Sequence, residues 1–174
     1  MSSVVRPTRP RAAVPRRLHL LLRDGTAIEG VVKVGADQSL VAFMNARPGW
    51  MTMTQARRAR SEDPEGFMIV QAEHIIMASA PDGKVSVQPR TATAPEERIV
   101  EFVLLGGRAV RGYLPIAPGQ RLGDAVSAAG GRFVALSLAR LFPEETDVGD
   151  IAISTAALAL VRDLRPTSTA PEAE

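Results

Sequence analysis

Apolar and polar positions alternate along two stretches of the chain, each followed by a turn and a second alternating stretch. The apolar positions before the turns are Leu18, Leu20 and Leu22 in the first stretch and Val100, Phe102 and Leu104 in the second. They continue after the turns as Ile28, Val32 and Val34, and as Val110, Leu114 and Ile116. A period of two places these side chains on one face of a strand, so the pattern predicts two antiparallel hairpins with one buried face.

Glycines mark the turns and bends of both predicted hairpins. Asp24-Gly25 and Gly106-Gly107 are dipeptides that tolerate the positive φ of a two-residue hairpin turn. Gly30 and Gly112 lie in the middle of the second strand of each hairpin. Glycine at such a place predicts a sharp bend or a bulge. We therefore expect Gly25, Gly30, Gly107 and Gly112 to serve as turn and bend residues.

The chain also matches itself at a nearly constant offset. Gly25 matches Gly107 and Gly30 matches Gly112 at a separation of 82 positions. Further on, Trp50 matches Phe133, and residues 70–77 match 153–160, at a separation of 83. A single inserted residue accounts for the change. The sequence predicts a tandem repeat, with copies at residues 17–80 and 98–165.

Each predicted copy has the same order of elements. The hairpin is followed by a short helix (38–45 and 122–128), a third strand (50–56 and 133–140), an acidic loop (61–66 and 143–149) and two short strands (67–71 with 75–79, and 151–154 with 158–162). This order predicts an all-β fold with short helices, built as two tandem five-stranded, bent antiparallel barrels. Residues 1–16 are predicted to be a disordered basic arm, 81–97 a linker and 166–174 a disordered tail.

The hairpin with its bend glycine, followed by a late pair of apolar strands, resembles the Sm-like (LSm/Hfq-like) superfamily, and the expected fold is therefore two Sm-like/SH3-like barrels. The segment 120–127, with 131–136 after it, also resembles an uncharacterised bacterial domain family. The resemblance implies five-stranded bent barrels and, in Sm proteins, contact with RNA. The residues that contact bases in those proteins do not match here, because Asp37 and Asn45 lie too far from Gly30.

Composition narrows the classes of function. Of 174 residues, 45% are hydrophobic but only 4% are aromatic, so the core is expected to be aliphatic. The absence of cysteine excludes disulfides and thiolate sites, and it fits a reducing compartment. No apolar run reaches the length of a membrane-spanning helix, and no apolar stretch of signal-peptide length precedes Leu18. We therefore expect a cytoplasmic protein with no membrane partner.

Residues that could carry chemistry are few and scattered. His19 and His74 are the only histidines, and neither has neighbours with the spacing of a metal site or a general base. Asp124 is expected in the first turn of the second short helix, where Arg121 or Arg132 could pair with it. The acidic loops lack calcium-loop spacing. The sequence thus predicts no catalytic, metal or cofactor residue, no small-molecule substrate and no enzyme.

Binding is the remaining class of function. Leu21 and Val31, with Val103 and Tyr113, are apolar positions on the opposite strand faces and are the candidate contacts between modules. The leading hypothesis is a non-enzymatic binding or scaffold protein that pairs with itself or with a protein partner. The alternative is an RNA- or DNA-associated protein whose phosphate contacts come from arginines: Arg6, Arg9, Arg11, Arg16, Arg17, Arg57 and Arg58.

Overall fold

The computed structural model describes residues 12–62, 64–83, 86, 95–130 and 132–164, and this part of the chain is all-β with two short helices. The strands are β1 (Ala13–Leu22), β2 (Ala27–Gly35), β3 (Trp50–Arg58), β4 (Gly66–Gln71), β5 (Ile75–Ser79), β6 (Glu96–Leu104), β7 (Ala109–Ile116), β8 (Phe133–Phe142), β9 (Thr146–Ser154) and β10 (Leu158–Asp163). The helices are α1 (Leu40–Asn45) and α2 (Leu122–Ala128). The all-β prediction is confirmed.

The strands form one antiparallel sheet in the order β10-β6-β7-β8-β9-β5-β1-β2-β3-β4. The first half of the molecule, β1 to β5 with α1, contributes the run β5-β1-β2-β3-β4. The second half, β6 to β10 with α2, contributes the run β10-β6-β7-β8-β9. The halves meet where β5 pairs with β9. The sheet therefore ends in β4 on one side and β10 on the other.

The two halves pair their strands in the same register. Leu18 faces Gly30 in the first half, and Val100 faces Gly112 in the second, each 82 positions later. From β3 onward the separation is 83 positions, as predicted. We call two residues related by these separations counterparts. Even the bulges correspond, since the counterparts Gln55 and Leu138 have positive φ values of 49° and 50°.

The glycines take the places that the sequence predicts. Gly25 and Gly107 have φ values of 84° and 81° in the hairpin turns. The register of β2 on β3 shifts between Glu29 and Val31, which places a bulge at Gly30, and Gly112 lies at the corresponding shift of β7 on β8. A Cβ atom on Gly112 would lie 2.8 Å from the Ser137 carbonyl oxygen. The bend glycines therefore allow close approach of the third strand of each half.

Each half has its own aliphatic core. The first is built around Leu18, Leu20, Val32, Val34, Leu40, Phe43, Met51 and Met53, and the second around Val100, Phe102, Leu104, Val110, Leu114, Ile116, Leu136 and Ile151. The alternating positions of the sequence supply the inward face of both hairpins.

Several predicted boundaries need correction. Strand β1 begins at Ala13, so residues 13–16 are not disordered. Pro15 is tolerated there because β5 pairs with β1 only from His19 onward, which leaves one edge of β1 unpaired among the described residues. Strand β6 begins at Glu96 and β9 at Thr146, so the linker and the second acidic loop are shorter than predicted. Residues 1–11, 84–85, 87–94 and 165–174 lie outside the described residues.

Candidate interaction surfaces

The junction between the halves is a short antiparallel pairing of β5 with β9. Met77 faces Ile153, Ala78 faces Ala152, and Ser79 faces Ile151. Ala78 and Ala152 are fully buried. The small side chains at the centre of this pairing allow the two halves to pack closely across it.

Apolar side chains cross the junction in both directions. Leu21 and Ile76 of the first half belong to the core of the second half. Phe133, Ala135 and Ala152 of the second half belong to the core of the first. Helix α1 packs on β8 and β9, and its residues Leu40, Phe43 and Met44 are buried. Each half thus contributes side chains to the core of the other.

Hydrogen bonds fix the position of one half on the other. The Asn45 side chain accepts a hydrogen bond from the Phe133 backbone N–H at 2.8 Å and donates one to the Phe133 carbonyl at 3.0 Å. The Arg23 guanidinium donates to the carbonyls of Glu73 at 2.9 Å and Ala156 at 3.3 Å. Asn45 therefore ties α1 to the first residue of β8.

The counterparts of the junction residues lie at the two ends of the sheet, and several of them are exposed, although Val70 is buried and Met68 and Val161 are partly buried. Ile69 on β4 is the counterpart of Ala152 and is 55% exposed, whereas Leu160 on β10 is the counterpart of Met77 and is 48% exposed. Trp50, the counterpart of Phe133, is 64% exposed. Part of the surface that is covered at the junction is therefore open at each end of the sheet.

The helices show the same contrast. Helix α1 contributes three buried side chains, but α2 contributes none. The counterparts of Leu40, Phe43 and Met44 are Leu122, Ala125 and Val126, which are only partly buried. The difference follows from position, because α1 packs on the neighbouring half and α2 lies on the outer side of the second half.

A groove of about 630 Å³ lies beside the outer strand β4. Its apolar lining includes Leu22, Ile28, Trp50, Met68 and Ile69. In the second half, the counterparts Leu104, Val110 and Ile151 belong to the cluster that Leu21 and Ile76 enter. The groove is therefore the open counterpart of the surface that Leu21 and Ile76 contact at the junction.

The four predicted contact residues have different surroundings. Leu21 is buried in the core of the second half. Val103 is its counterpart on β6 and is partly buried. Val31 faces Arg17 and Tyr113 faces Ile99 in their hairpins, and both belong to neither core cluster. Sequence reasoning missed Ile76, Ile69 and Leu160, although the strand pattern already placed all three on the closing strands.

The arginines proposed to contact phosphate are partly engaged elsewhere. Arg57 donates a hydrogen bond to the Glu29 carboxylate, and this bond lowers the pKa of Glu29 below its ordinary value. Arg17 lies 3.9 Å from the Glu65 carboxylate, and Arg16 donates to the Pro15 carbonyl at 3.4 Å. Arg58 lines the groove beside β4. Arg6, Arg9 and Arg11 lie outside the described residues.

The residues weighed for chemistry do not converge. The His19 Nε2 lies 3.3 Å from Glu29, and the His74 Nε2 lies 3.9 Å from Glu73. Arg132 donates to the Ala129 carbonyl at 3.2 Å, and the described residues show no ion pair of Asp124 with Arg121 or Arg132. Within the described ranges, no group of three or more His, Cys, Asp or Glu residues is placed to hold a metal ion.

The described helices are far too short to cross a membrane. The features in which the two halves differ most are the covered junction and its two open counterparts. Comparisons with protein-family models, curated proteins and solved structures gave no match.

Proposed function

We propose that this chain is a non-enzymatic assembly protein that binds protein strands at the two open ends of its sheet. One observation carries the proposal: β4 and β10 each pair with one strand only among the described residues, and they carry the exposed residues Ile69 and Leu160, whose counterparts Ala152 and Met77 lie at the junction. An unpaired strand edge presents backbone N–H and C=O groups to a partner, and addition of a strand satisfies them.

The composition of the two ends supports this function. Exposed apolar side chains occur beside the open strands, with Trp50, Phe67 and Ile69 near β4 and Leu160 on β10. Apolar residues clustered at one exposed place mark interaction surfaces more often than residues scattered singly. Backbone pairing at the edge and apolar contacts beside it would act together on the same partner.

We also propose that each half is a copy of a duplicated, bent five-stranded Sm-like barrel. The support is the identical register of both halves, the bulges at Gly30 and Gly112, and the 3₁₀ turns at Ala72–His74 and Thr155–Ala157. On this proposal the short strand after each 3₁₀ turn returns to the first strand of its own half, as β5 does on β1 and β10 on β6.

The nucleic-acid alternative has less support from the described residues. Arg57 is bound to Glu29, and three of the proposed arginines lie outside the described part of the chain. The alternative predicts nucleic acid that co-purifies at low salt and is released as salt rises, with a steep log–log slope. Purification at low salt with absorbance at 260 and 280 nm tests it.

Photo-crosslinking at the open edges tests the proposed function. A photoreactive amino acid replaces Ile69 or Leu160, and the matched control replaces Leu138, which is 68% exposed at a bulge away from both ends. We expect covalent protein adducts at positions 69 and 160 in cells, with none at 138. Equal labelling at all three positions, or none at any, would contradict the proposal.

A further inference from the structure

Three large apolar side chains lie together on the outer face of β3 and β4. Trp50, Phe67 and Ile69 are 64%, 64% and 55% exposed. Trp50 faces Gln71 in the strand pairing, and Ile69 lies two positions before Gln71 on β4. Trp50 and Ile69 are therefore diagonal neighbours on one face, about 7–8 Å apart and within reach of an aromatic side chain. Phe67 follows on the same face, and we call the three residues the outer apolar patch.

The fold does not require this patch. The alternate positions of β4 already supply the core of the first half, because Val70 belongs to it and Met68 packs against it. In the second half, the counterpart of Phe67 is Asp150, which is charged and exposed. The same strand pairing therefore forms without apolar side chains at this position, and contiguous exposed apolar residues mark an interaction surface.

Charge is unevenly distributed along the chain. Residues 1–60 contain eleven Arg or Lys residues and three Asp or Glu residues, which gives a net charge of +8. Residues 61–174 contain ten basic and sixteen acidic residues, which gives −6. The basic part of the chain includes β1, β2 and β3, and β3 pairs with β4. Such an asymmetry favours contact between the basic part and an anionic surface.

The basic start of the chain joins the sheet at the end where the patch begins. Strand β1 starts at Ala13, which faces Gly35 at the end of β2. Because β2 and β3 are antiparallel, the end of β2 and the start of β3 at Trp50 lie at the same end of the sheet. Residues 1–11, outside the described residues, contain no acidic residue and three arginines: Arg6, Arg9 and Arg11. Three positive charges are therefore attached at this end.

Further cations lie at the same end. Lys33 and Arg47 are exposed, and the Arg47 guanidinium donates a hydrogen bond to the Lys33 carbonyl at 3.4 Å. The acidic side chains at the two ends of β4 have partners, since Glu73 accepts a hydrogen bond from the Gln71 side chain and Glu65 lies 3.9 Å from Arg17. The apolar patch is thus bordered by positive charge.

We propose that the outer apolar patch and the arginines beside it bind the surface of a membrane that contains anionic lipids. Exposed apolar side chains enter the headgroup region, where the amphipathic ring of tryptophan is favoured, and arginines attract anionic headgroups. Two such weak signals together give stable attachment. The expectation of no membrane partner rested on the absence of a spanning segment, and an interfacial contact needs none.

This binding goes beyond the proposed strand addition and does not exclude it. A strand added to β4 bonds the backbone at its edge, whereas a lipid surface contacts the side chains on its outer face. A nucleic acid would account for the arginines but not for Ile69, because an aliphatic side chain gains from leaving water rather than from phosphate contact. A lipid surface uses both features.

Sedimentation of the full chain with vesicles tests the proposal. One set of vesicles contains phosphatidylcholine alone, and the other contains phosphatidylcholine and phosphatidylserine in equal parts. We expect binding to the second set at low salt, and weaker binding as salt rises. Trp50 is the single tryptophan, so its emission should shift to the blue when it enters the less polar lipid surface.

Two pairs of variants separate the apolar contribution from the charge. Phe67→Ser/Ile69→Ser should weaken vesicle binding about tenfold or more, whereas the matched control Leu105→Ser/Leu138→Ser removes equally apolar, exposed side chains from the second half without this effect. Replacing the three arginines of residues 1–11 by glutamine should weaken binding by about fivefold for each. The control removes the same charge from exposed arginines of the second half: Arg121→Gln, Arg132→Gln and Arg140→Gln.

Each outcome bears on the proposal. Binding that requires phosphatidylserine, shifts Trp50 emission and is lost in the patch variant but kept in its control supports it. Urea unfolding of each variant confirms that the fold is retained. No sedimentation with either set of vesicles at low salt, or equal binding of the patch variant and its control, overturns it. If an RNA homopolymer binds while the vesicles do not, the arginines serve nucleic acid and the proposal is wrong. Photo-crosslinks to protein at the two open strands are independent of all these results.

Discussion

The two halves have the same strand pairing and register, but they differ in what covers their ends. On the first half, the face of β5 and α1 is buried against the second half, whereas on the second half the corresponding face of β10 and α2 is open. Conversely, β9 of the second half is covered by its pairing with β5, whereas its counterpart β4 in the first half is an open edge. The comparison teaches that the large exposed residues Trp50, Ile69 and Leu160 occupy positions whose counterparts are covered at the junction.

The ion pairs of the two halves, unlike their strand registers, occupy different positions. In the first half Glu29 binds Arg57 and lies near His19, whereas in the second half the carboxylate belongs to Glu101, the counterpart of His19. Glu101 is buried and lies 2.6 Å from Arg111 and 3.4 Å from Arg162. The carboxylate therefore lies on β2 in the first half but on β6, the counterpart of β1, in the second half, while the registers stay the same. The apolar alternation and the glycines are therefore common to both halves, whereas the ion pairs differ between them.

Substitution of a bend glycine should have the largest effect, because it destabilises the strand pairing that the two halves have in common. Gly112→Ala would bring a Cβ atom within 2.8 Å of Leu136 Cγ and the Ser137 carbonyl oxygen, so β7 and β8 must separate. We expect a loss of about 3 kcal/mol of unfolding free energy, measured by urea denaturation. Gly106→Ala is the matched control, because a Cβ there meets nothing within 4 Å. Equal stability of the two variants would contradict the close approach.

Removal of the hydrogen bonds across the junction should have the next largest effect. Asn45→Ala leaves the Phe133 N–H and carbonyl without the side chain that binds them, and we expect a loss of about 2 kcal/mol. The counterpart substitution, Ser127→Ala on the exposed outer helix, should change stability by less than about 0.5 kcal/mol. Thermal or urea unfolding of both variants checks the contrast, which disappears if the junction is not a specific contact.

Relief of the strained bulge should stabilise the protein. Leu138 has a φ of 50° and is 68% exposed, so Leu138→Asn places a residue that tolerates this conformation and removes an exposed apolar side chain. We expect a gain of about 0.5–1 kcal/mol in unfolding free energy. Leu105→Asn, at an equally exposed site without positive φ, serves as the control. A gain of the same size at Leu105 would show that solubility and not backbone strain is responsible.

The smallest expected effect is on the stability of the protein at acid pH. The bond from Arg57 lowers the pKa of Glu29, so its contribution is present above the ordinary glutamate pKa of about 4.3 and is lost as pH falls through the lower folded value. Glu29→Gln should therefore reduce the loss of stability below that pH. Unfolding curves at successive acid pH values measure this slope. Glu145→Gln, on an exposed turn, controls for the change in net charge, and an identical slope in both variants would contradict the role of the ion pair.

Local features of the fold could be predicted from sequence, whereas the candidate surfaces could not. Turns at Gly25 and Gly107, bulges at Gly30 and Gly112 and the inward alternation of the hairpins depend on neighbouring residues and on period two. The pairing of β5 with β9 joins residues more than seventy positions apart. Exposure of Ile69 and burial of Ala152 depend on that pairing, because the two residues are counterparts within otherwise equivalent strands.

The start of β1 is a second feature that could not be predicted from the sequence. Arginines and prolines before residue 17 favour a disordered arm by composition. Strand β2, however, continues to Gly35 and supplies a partner for Ala13 to Arg16. A single available edge is enough to order this segment, and composition alone does not reveal that the edge exists.

Photo-crosslinking at the two open strands tests the central claim most directly. The account predicts covalent protein adducts when the photoreactive residue replaces Ile69 or Leu160, and none when it replaces the exposed Leu138. Equal labelling at all three positions, or labelling at none of them, would contradict it.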